Sequence, residues 1–245
     1  MNVDSDHPHP GQIEDPSAHQ HDYDLPYHWT GGAFYREVAR AAAERVAPTV
    51  RGRRVLEMGC GDGFLTAQIA PLAERVHAFD MSGRAVAFAR LIVRAPNVSF
   101  SVGRAQELAT MATHLGGEVD VVASFEVVEH LSPQERDAFL VASSELLGPR
   151  KGSLVLTTPN GSKRPGHRMN PHHAHEFTPA ELRELVLAAG FVDVTVQGLY
   201  LQPPWTRVEH LAGTVPFRAT FRRLARAGRD RPAWCRSLIC LARTS

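Results

Sequence analysis

Short apolar runs alternate with amphipathic segments along most of the chain. The runs around VLEM, VHAF, VSFSV, VDVVASF, SLVLTT and VDVTV have the length of buried strands, and SLICLAR makes a seventh. The segments between them have helical spacing, and Pro48 is expected to stop the first long helix. Strands that alternate with helices form mostly parallel sheets. The pattern therefore predicts an α/β fold with a seven-stranded, mostly parallel sheet and helices on both faces.

Polar residues at the segment boundaries predict where two helices begin and end. Ser82 and Thr178 stand where an N-cap is needed, because their side chains accept a hydrogen bond from the first turn. Gly190 follows the second of these helices and is expected to end it. In parallel sheets covered by helices, ligands bind at the carboxyl ends of the strands. The loops at that edge are therefore the place to look for chemistry.

The N-terminal residues have a different composition from the rest. Residues 1–26 mix Pro, Asp, Gln and His with few large apolar groups, which predicts a disordered tail. They contain neither a basic region nor an apolar core of a secretory signal, and no run approaches the roughly 18 apolar residues of a membrane span. We therefore expect a cytoplasmic protein without a membrane partner, folded as one domain over 27–245.

Composition and charge exclude several classes of protein. With 43% hydrophobic residues and a net charge of +1, the chain is neither fully disordered nor collagen-like. The neutral total conceals an asymmetry, because residues 1–26 hold six acidic and no basic residues while 205–245 holds nine Arg against two acids. Three cysteines without a C-x-x-C pair predict neither a disulfide framework nor a zinc knuckle.

A glycine-rich loop follows the first predicted strand. Glu57 precedes glycines at 59, 61 and 63, and glycine permits tight turns and close approach of a ligand to the backbone. The loop lacks the Lys of a phosphate-binding P-loop. It also has Phe64 where a dinucleotide-binding G-x-G-x-x-G motif has its third glycine.

The run VLEMGCGDG resembles the first motif of the class I S-adenosylmethionine-dependent methyltransferases, which have a Rossmann-like fold. The resemblance implies that Gly59, Gly61 and Gly63 line the methionine and ribose portion of this cofactor. It also implies that Asp80, at the end of the second strand, binds the ribose hydroxyls. Glu57 would position the loop or the cofactor's amino group. The remaining candidate cofactor contacts are Cys60, Met81, Arg104, Ala105 and Phe125.

One position departs from the family pattern. After the third strand the family commonly has Gly-Asp-Ala, with the acid near the adenine amino group, whereas this chain has Gly103-Arg104-Ala105. An arginine cannot accept a hydrogen bond from that amine. Backbone groups of Arg104 and Ala105, or stacking of the Arg104 guanidinium, are the alternatives. The resemblance implies a cofactor half over about 50–160 and acceptor-side elements over about 161–235.

An acid and histidine cluster follows the fourth strand. If SFEVVEHL forms one helical turn, Glu126, Glu129 and His130 share one face. With His173, they resemble the ligands of the metal-dependent small-RNA 3′-terminal 2′-O-methyltransferases, which implies Mg²⁺, Mn²⁺, Fe²⁺ or Zn²⁺. The same segments also resemble metal-free small-molecule methyltransferases, which implies that His130 is a general base or an orienting group and His173 a substrate contact.

Three functions stay open at this point. The first choice is O-methylation of a small molecule, a natural product or a sugar, because no RNA-binding module is recognisable. The second is metal-dependent 2′-O-methylation of RNA 3′ ends, which the Arg-rich C-terminal region permits. The third is a non-catalytic cofactor-binding protein, because Arg104 breaks the adenine motif. No sequence signal defines an oligomeric state.

Overall fold

A computed structural model describes residues 26–30, 33–162, 169–201, 223–224 and 226–245. Its centre is a seven-stranded sheet in the order β3-β2-β1-β4-β5-β7-β6. The strands are β1 (Arg54–Met58), β2 (Arg75–Asp80), β3 (Val98–Val102), β4 (Val121–Phe125), β5 (Ser153–Pro159), β6 (Asp193–Leu201) and β7 (Cys235–Arg243). The first five pair in parallel, and β7 is antiparallel to both β5 and β6. The predicted mostly parallel, seven-stranded sheet is confirmed.

Helices cover both faces of the sheet. They are α1 (Tyr27–Thr30), α2 (Ala33–Val50), α3 (Phe64–Ile69), α4 (Gly83–Ile92), α5 (Leu108–Ala112), α6 (Pro133–Leu147) and α7 (Pro179–Ala188). The apolar core consists of two clusters, one on each face of the sheet, because successive strand residues point to opposite faces. In β1, Leu56 belongs to the cluster that contains α6 and α7 residues, whereas Val55 belongs to the cluster that contains residues of α2 and α3.

The predicted caps are present, and one predicted helix end is wrong. The Oγ atoms of Ser82 and Thr178 accept backbone N–H groups at 3.2 and 3.3 Å, and Gly190 has a φ of 98° just after α7. Helix α2 does not stop at Pro48 but continues to Val50. A proline this close to the end removes a single helical hydrogen bond. The fully buried Val50 side chain holds the last turn against the sheet.

Several predicted features lie outside the described residues. These are the tail apart from Pro26, most of the loop behind β5 and most of the Arg-rich segment before β7. Among the residues that the structure does describe, none of the helices has both the length and the apolar character that a membrane span needs. The carboxyl ends of β1, β2, β4 and β5 lie along one edge of the sheet, and the predicted site residues are in the turns that follow them.

Candidate functional site

The glycine loop after β1 is held in an open, left-handed conformation. Gly59, Gly61 and Gly63 have φ values of 75°, 53° and 78°, a region that other residues rarely adopt. A side chain at Gly59 would also collide with Val127. Glycine is therefore required at Gly59 on two grounds, the backbone angle and the close approach of the turn after β4.

Asp80 fastens this loop to the end of β2. One carboxylate oxygen accepts the backbone N–H of Gly61 at 2.8 Å, and the other accepts that of Ser82 at 2.8 Å. The backbone of Gly59 also donates to the carbonyl of Phe79 at 2.8 Å. A carboxylate has about four acceptor positions, so these two backbone donors do not use its full acceptor capacity.

Glu57 lies beneath the loop. Its side chain is 1% exposed and accepts a hydrogen bond from Thr66 Oγ1 at 2.7 Å. Burial raises the pKa of Glu57 to about 7. Glu57 was predicted to position either the loop or the amino group of the cofactor, and its buried position beneath the loop favours the first role. The neighbouring Cys60 is also buried, and burial raises its thiol pKa well above the usual value, so it is a packing residue rather than a nucleophile.

The remaining predicted cofactor contacts lie at the ends of β2, β3 and β4. Met81 is 39% exposed directly after Asp80, as an apolar face for a ring requires, while Phe125 is buried at the end of β4. The backbone N–H of Arg104 donates to the Glu107 carboxylate at 2.7 Å. That group is therefore engaged, which leaves the exposed Arg104 side chain and the half-buried Ala105 as the predicted adenine contacts.

The turn after β4 is not the helical turn that the sequence predicts. Glu126 has a φ of 55°, and a short turn closes with a 2.9 Å hydrogen bond from the His130 backbone to the Val127 carbonyl. A left-handed residue at the first position interrupts helical geometry. Glu126 and Glu129 therefore do not share a helical face, and the backbone N–H of Glu126 instead donates to the Thr157 carbonyl at 2.9 Å.

The structure brings Glu129, His130 and His173 together. One donor atom from each lies within 4.8 Å of the others, and within the described part of the chain this triad does not include Glu126. Two loops that are distant in sequence meet here because the Glu129 carbonyl accepts the Ala174 backbone N–H at 2.7 Å. The His130 and His173 rings are edge to face, with centroids 4.7 Å apart.

Neighbouring oxygen atoms orient both histidines. His130 Nδ1 lies 3.1 Å from the His172 carbonyl oxygen, and His173 Nδ1 lies 2.7 Å from a Glu176 carboxylate oxygen. A carbonyl or ionised carboxylate oxygen only accepts, so each Nδ1 carries a proton in this arrangement, and the neutral form of either ring has its lone pair at Nε2. Both rings are thus oriented for a base or for a ligand. His175 instead approaches Glu181 at 3.7 Å, outside the triad.

The charges of this region depend on burial. Glu129 is 1% exposed and accepts a hydrogen bond from Thr158 Oγ1 at 3.1 Å. Its pKa is raised well above the usual value, mainly by burial and also by the nearby Glu126 carboxylate. Solvent reaches the side chain of Glu126, but the surrounding protein desolvates it enough to raise its pKa to about 7. Burial lowers the pKa of His130, which keeps the ring neutral at physiological pH.

Asp62 is a buried residue of the glycine loop that the sequence did not single out. It lies within the glycine loop, is fully buried, and contacts His28 and Trp29 of α1. The sequence offered only a weak signal, an acid between two glycines. Its partners are more than 30 residues away along the chain, so no local pattern connects them.

Comparisons with known proteins agree with this architecture. A family model described as a methyltransferase domain matches residues 28–196. A probable S-adenosylmethionine-dependent methyltransferase of Mycobacterium tuberculosis is 36% identical over 74% of this chain and 62% of its own length. A ubiquinone biosynthesis O-methyltransferase of Xanthomonas axonopodis pv. citri is 32% identical over 63% of this chain and 68% of its own.

Solved structures show the same fold at low identity. The complex of DhpI with SAH superposes with a TM-score of 0.63 at 19% identity, over 93% of this chain and 94% of the other. The chain spans about three fifths of the length of the mycobacterial relative. On the family match, the relatives and the shared sheet, the chain belongs to the class I S-adenosylmethionine-dependent methyltransferase family.

Proposed function

We propose that the protein transfers a methyl group from S-adenosylmethionine to a hydroxyl oxygen of a small molecule. The observation that carries this proposal is the oriented, neutral His130 beside Glu129 and His173, at the same sheet edge as the glycine loop. A neutral imidazole held at Nδ1 by a carbonyl is suited to accept a proton at Nε2.

The residues around the glycine loop fit the cofactor. Asp80 is a carboxylate of the type that accepts ribose hydroxyls, the loop has no side chains at its three glycines, and Met81 offers an apolar surface for the base. When bound, the cofactor supplies an electrophilic methyl group on a sulfonium, so the protein needs mainly to align the acceptor and to remove its proton. His130 Nε2 would take the hydroxyl proton as the acceptor oxygen bonds to the methyl carbon and the bond from that carbon to sulfur breaks, which would leave S-adenosylhomocysteine as the other product.

A divalent cation is the second version of this mechanism. Glu129, His130 and His173 offer a carboxylate and two imidazole nitrogens, a donor set typical of Mn²⁺, Fe²⁺ or Zn²⁺ and compatible with Mg²⁺ through added waters. The Glu176 carboxylate beside His173 Nδ1 is the kind of outer partner that orients a histidine ligand. Bound there, the cation would lower the pKa of the acceptor hydroxyl. Glu126, the fourth predicted ligand, lies outside the triad found among the described residues.

The relatives support a small-molecule acceptor. The Xanthomonas protein is named for ubiquinone biosynthesis and for O-methylation, at 32% identity. RNA as an acceptor stays a prediction, because much of the Arg-rich segment lies outside the described residues. Within that segment Arg226 is described, and it pairs with Glu44 of α2 at 2.8 Å.

The test is transfer of a labelled methyl group from the cofactor into three acceptor panels: sugars, phenolic small molecules and short RNAs. We expect label in a small-molecule panel. Label in RNA alone would show that the acceptor is RNA and not a small molecule. Label in none of the panels would contradict the proposal. The same reactions with a chelator, followed by addition of single cations, separate the two versions of the mechanism. Metal content of His173→Ala, matched against His175→Ala, then tests whether His173 is a ligand.

A further inference from the structure

A single buried carboxylate attaches α1 to the glycine loop. Asp62 Oδ2 accepts the backbone N–H of His28 at 2.8 Å, and Asp62 Oδ1 lies 3.0 Å from His28 Nδ1. The Asp62 carbonyl accepts Trp29 Nε1–H at 3.0 Å. Asp62 is fully buried, and a buried carboxylate is costly unless it is hydrogen-bonded. If α1 left this position, the Asp62 carboxylate would lose its hydrogen bonds with His28.

Aromatic contacts with the first residue of α3 complete the attachment. The Trp29 ring meets Phe64 edge-on, with centroids 5.1 Å apart, and the His28 ring lies nearly parallel to Phe64 at 6.4 Å. Phe64 directly follows the glycine loop and is itself buried. The N-terminal segment thus contacts the loop at Asp62 and the helix that begins just beyond it.

The position of α1 links the two halves of the candidate site. Asp62 lies between Gly61 and Gly63, the loop residues that the proposed cofactor would approach. Burial raises the pKa of Glu126 on the acceptor side, and His28 is near enough to oppose that rise electrostatically. Helix α1 therefore contacts the cofactor loop and lies near the turn that leads to His130.

We propose that His28 and Trp29 are positioning residues. Through their contacts with Asp62 they hold α1 in place next to the glycine loop, and this slows release of the cofactor. The inference rests on the proposed function, because it takes S-adenosylmethionine as the ligand of the loop. Neither residue needs to touch the methyl group. Their effect is on the conformation of the loop and on the escape of the bound cofactor.

The experiment measures dissociation of S-adenosylhomocysteine from the full chain by stopped-flow displacement. His28→Ala removes the side-chain donor to Asp62, and His28→Asn replaces it with an amide nitrogen at a similar distance from the backbone. We expect dissociation to be about 10-fold faster or more in H28A, and within about 3-fold of wild type in H28N. Trp29→Phe keeps an aromatic ring, although a smaller one, and removes the indole N–H donor, so an intermediate rate is expected. His175→Ala is the matched control and should dissociate like wild type.

A second measurement needs no cofactor. Hydrogen exchange of the backbone amides in 59–63 should be faster in H28A than in wild type and restored in H28N, while thermal unfolding shows that each variant is folded. Equal dissociation rates in wild type and H28A, or equally fast rates in H28A and H28N, would overturn this inference and leave the proposed function standing. Failure of wild type to bind S-adenosylhomocysteine would overturn the proposed function as well.

Discussion

The two halves of the candidate site are built in different ways. The glycine loop owes its shape to backbone angles and backbone donors, fastened by the one carboxylate of Asp80. The acid and histidine region is assembled from side chains on two loops that are distant in sequence, and its charge states are set by burial. The glycine loop should therefore be sensitive to added side-chain atoms. The acid and histidine region should be sensitive to loss of its functional groups and to pH.

The largest effect is expected in the acid and histidine region. His130→Ala removes the proposed base, so turnover of the acceptor should fall about 10²- to 10⁴-fold. The affinity for S-adenosylhomocysteine should stay unchanged, because His130 belongs to the other half of the site. His175→Ala is the control for loss of an imidazole nearby. Parallel losses of turnover and cofactor affinity in H130A would mean that the two halves are not separable.

Asp80→Asn tests the carboxylate that fastens the glycine loop. An amide cannot accept at both of its terminal atoms, so either the Gly61 or the Ser82 backbone donor loses its partner. Cofactor affinity should fall about 10- to 100-fold in calorimetric titration. Asp120→Asn is the matched control, because Asp120 also accepts a backbone N–H, at 3.0 Å, but precedes β4 at the opposite edge of the sheet. Similar losses in both variants would assign the effect to general destabilisation.

Gly59→Ala, compared with Gly52→Ala, separates the cost of backbone strain from the cost of a collision with Val127. The substitution adds a left-handed alanine and a collision with Val127, and should cost about 2–5 kcal/mol of unfolding free energy. Gly52→Ala is the comparison, because Gly52 has a φ of 65° with open space around it. It should cost only about 1–2 kcal/mol. Equal costs in urea unfolding would show that the approach of Val127 contributes nothing.

The smallest effect concerns the pH dependence of stability. The pKa of Glu57 is raised from 4.5 to about 7 by burial, so the folded state holds a proton that the unfolded chain releases. The stabilising contribution is complete below pH 4.5 and is lost as pH rises through about 7. Glu57→Gln keeps a partner for Thr66 and should flatten this part of the profile of thermal midpoint against pH. An unchanged profile would contradict the buried, protonated Glu57.

The sequence predicted the glycine loop better than the acid and histidine region. A βα turn with three glycines is a local pattern, and Asp80 follows at the end of the next strand, so motif and strand positions were enough. The left-handed Glu126 was not predictable, because a run of E, V, V, E and H is equally suited to a helical turn. The link between Asp62 and His28 depends on packing between distant segments. Periodicity and motif spacing contain no such information.

We expect the glycine loop and Asp80 to form the S-adenosylmethionine site. Calorimetric titration of the full chain with S-adenosylhomocysteine tests it most directly, because it depends on neither the acceptor nor a metal. The account predicts one binding site per chain, with affinity retained in H130A and weakened in D80N. Absence of binding to wild type, or equal affinity in wild type and D80N, would contradict it.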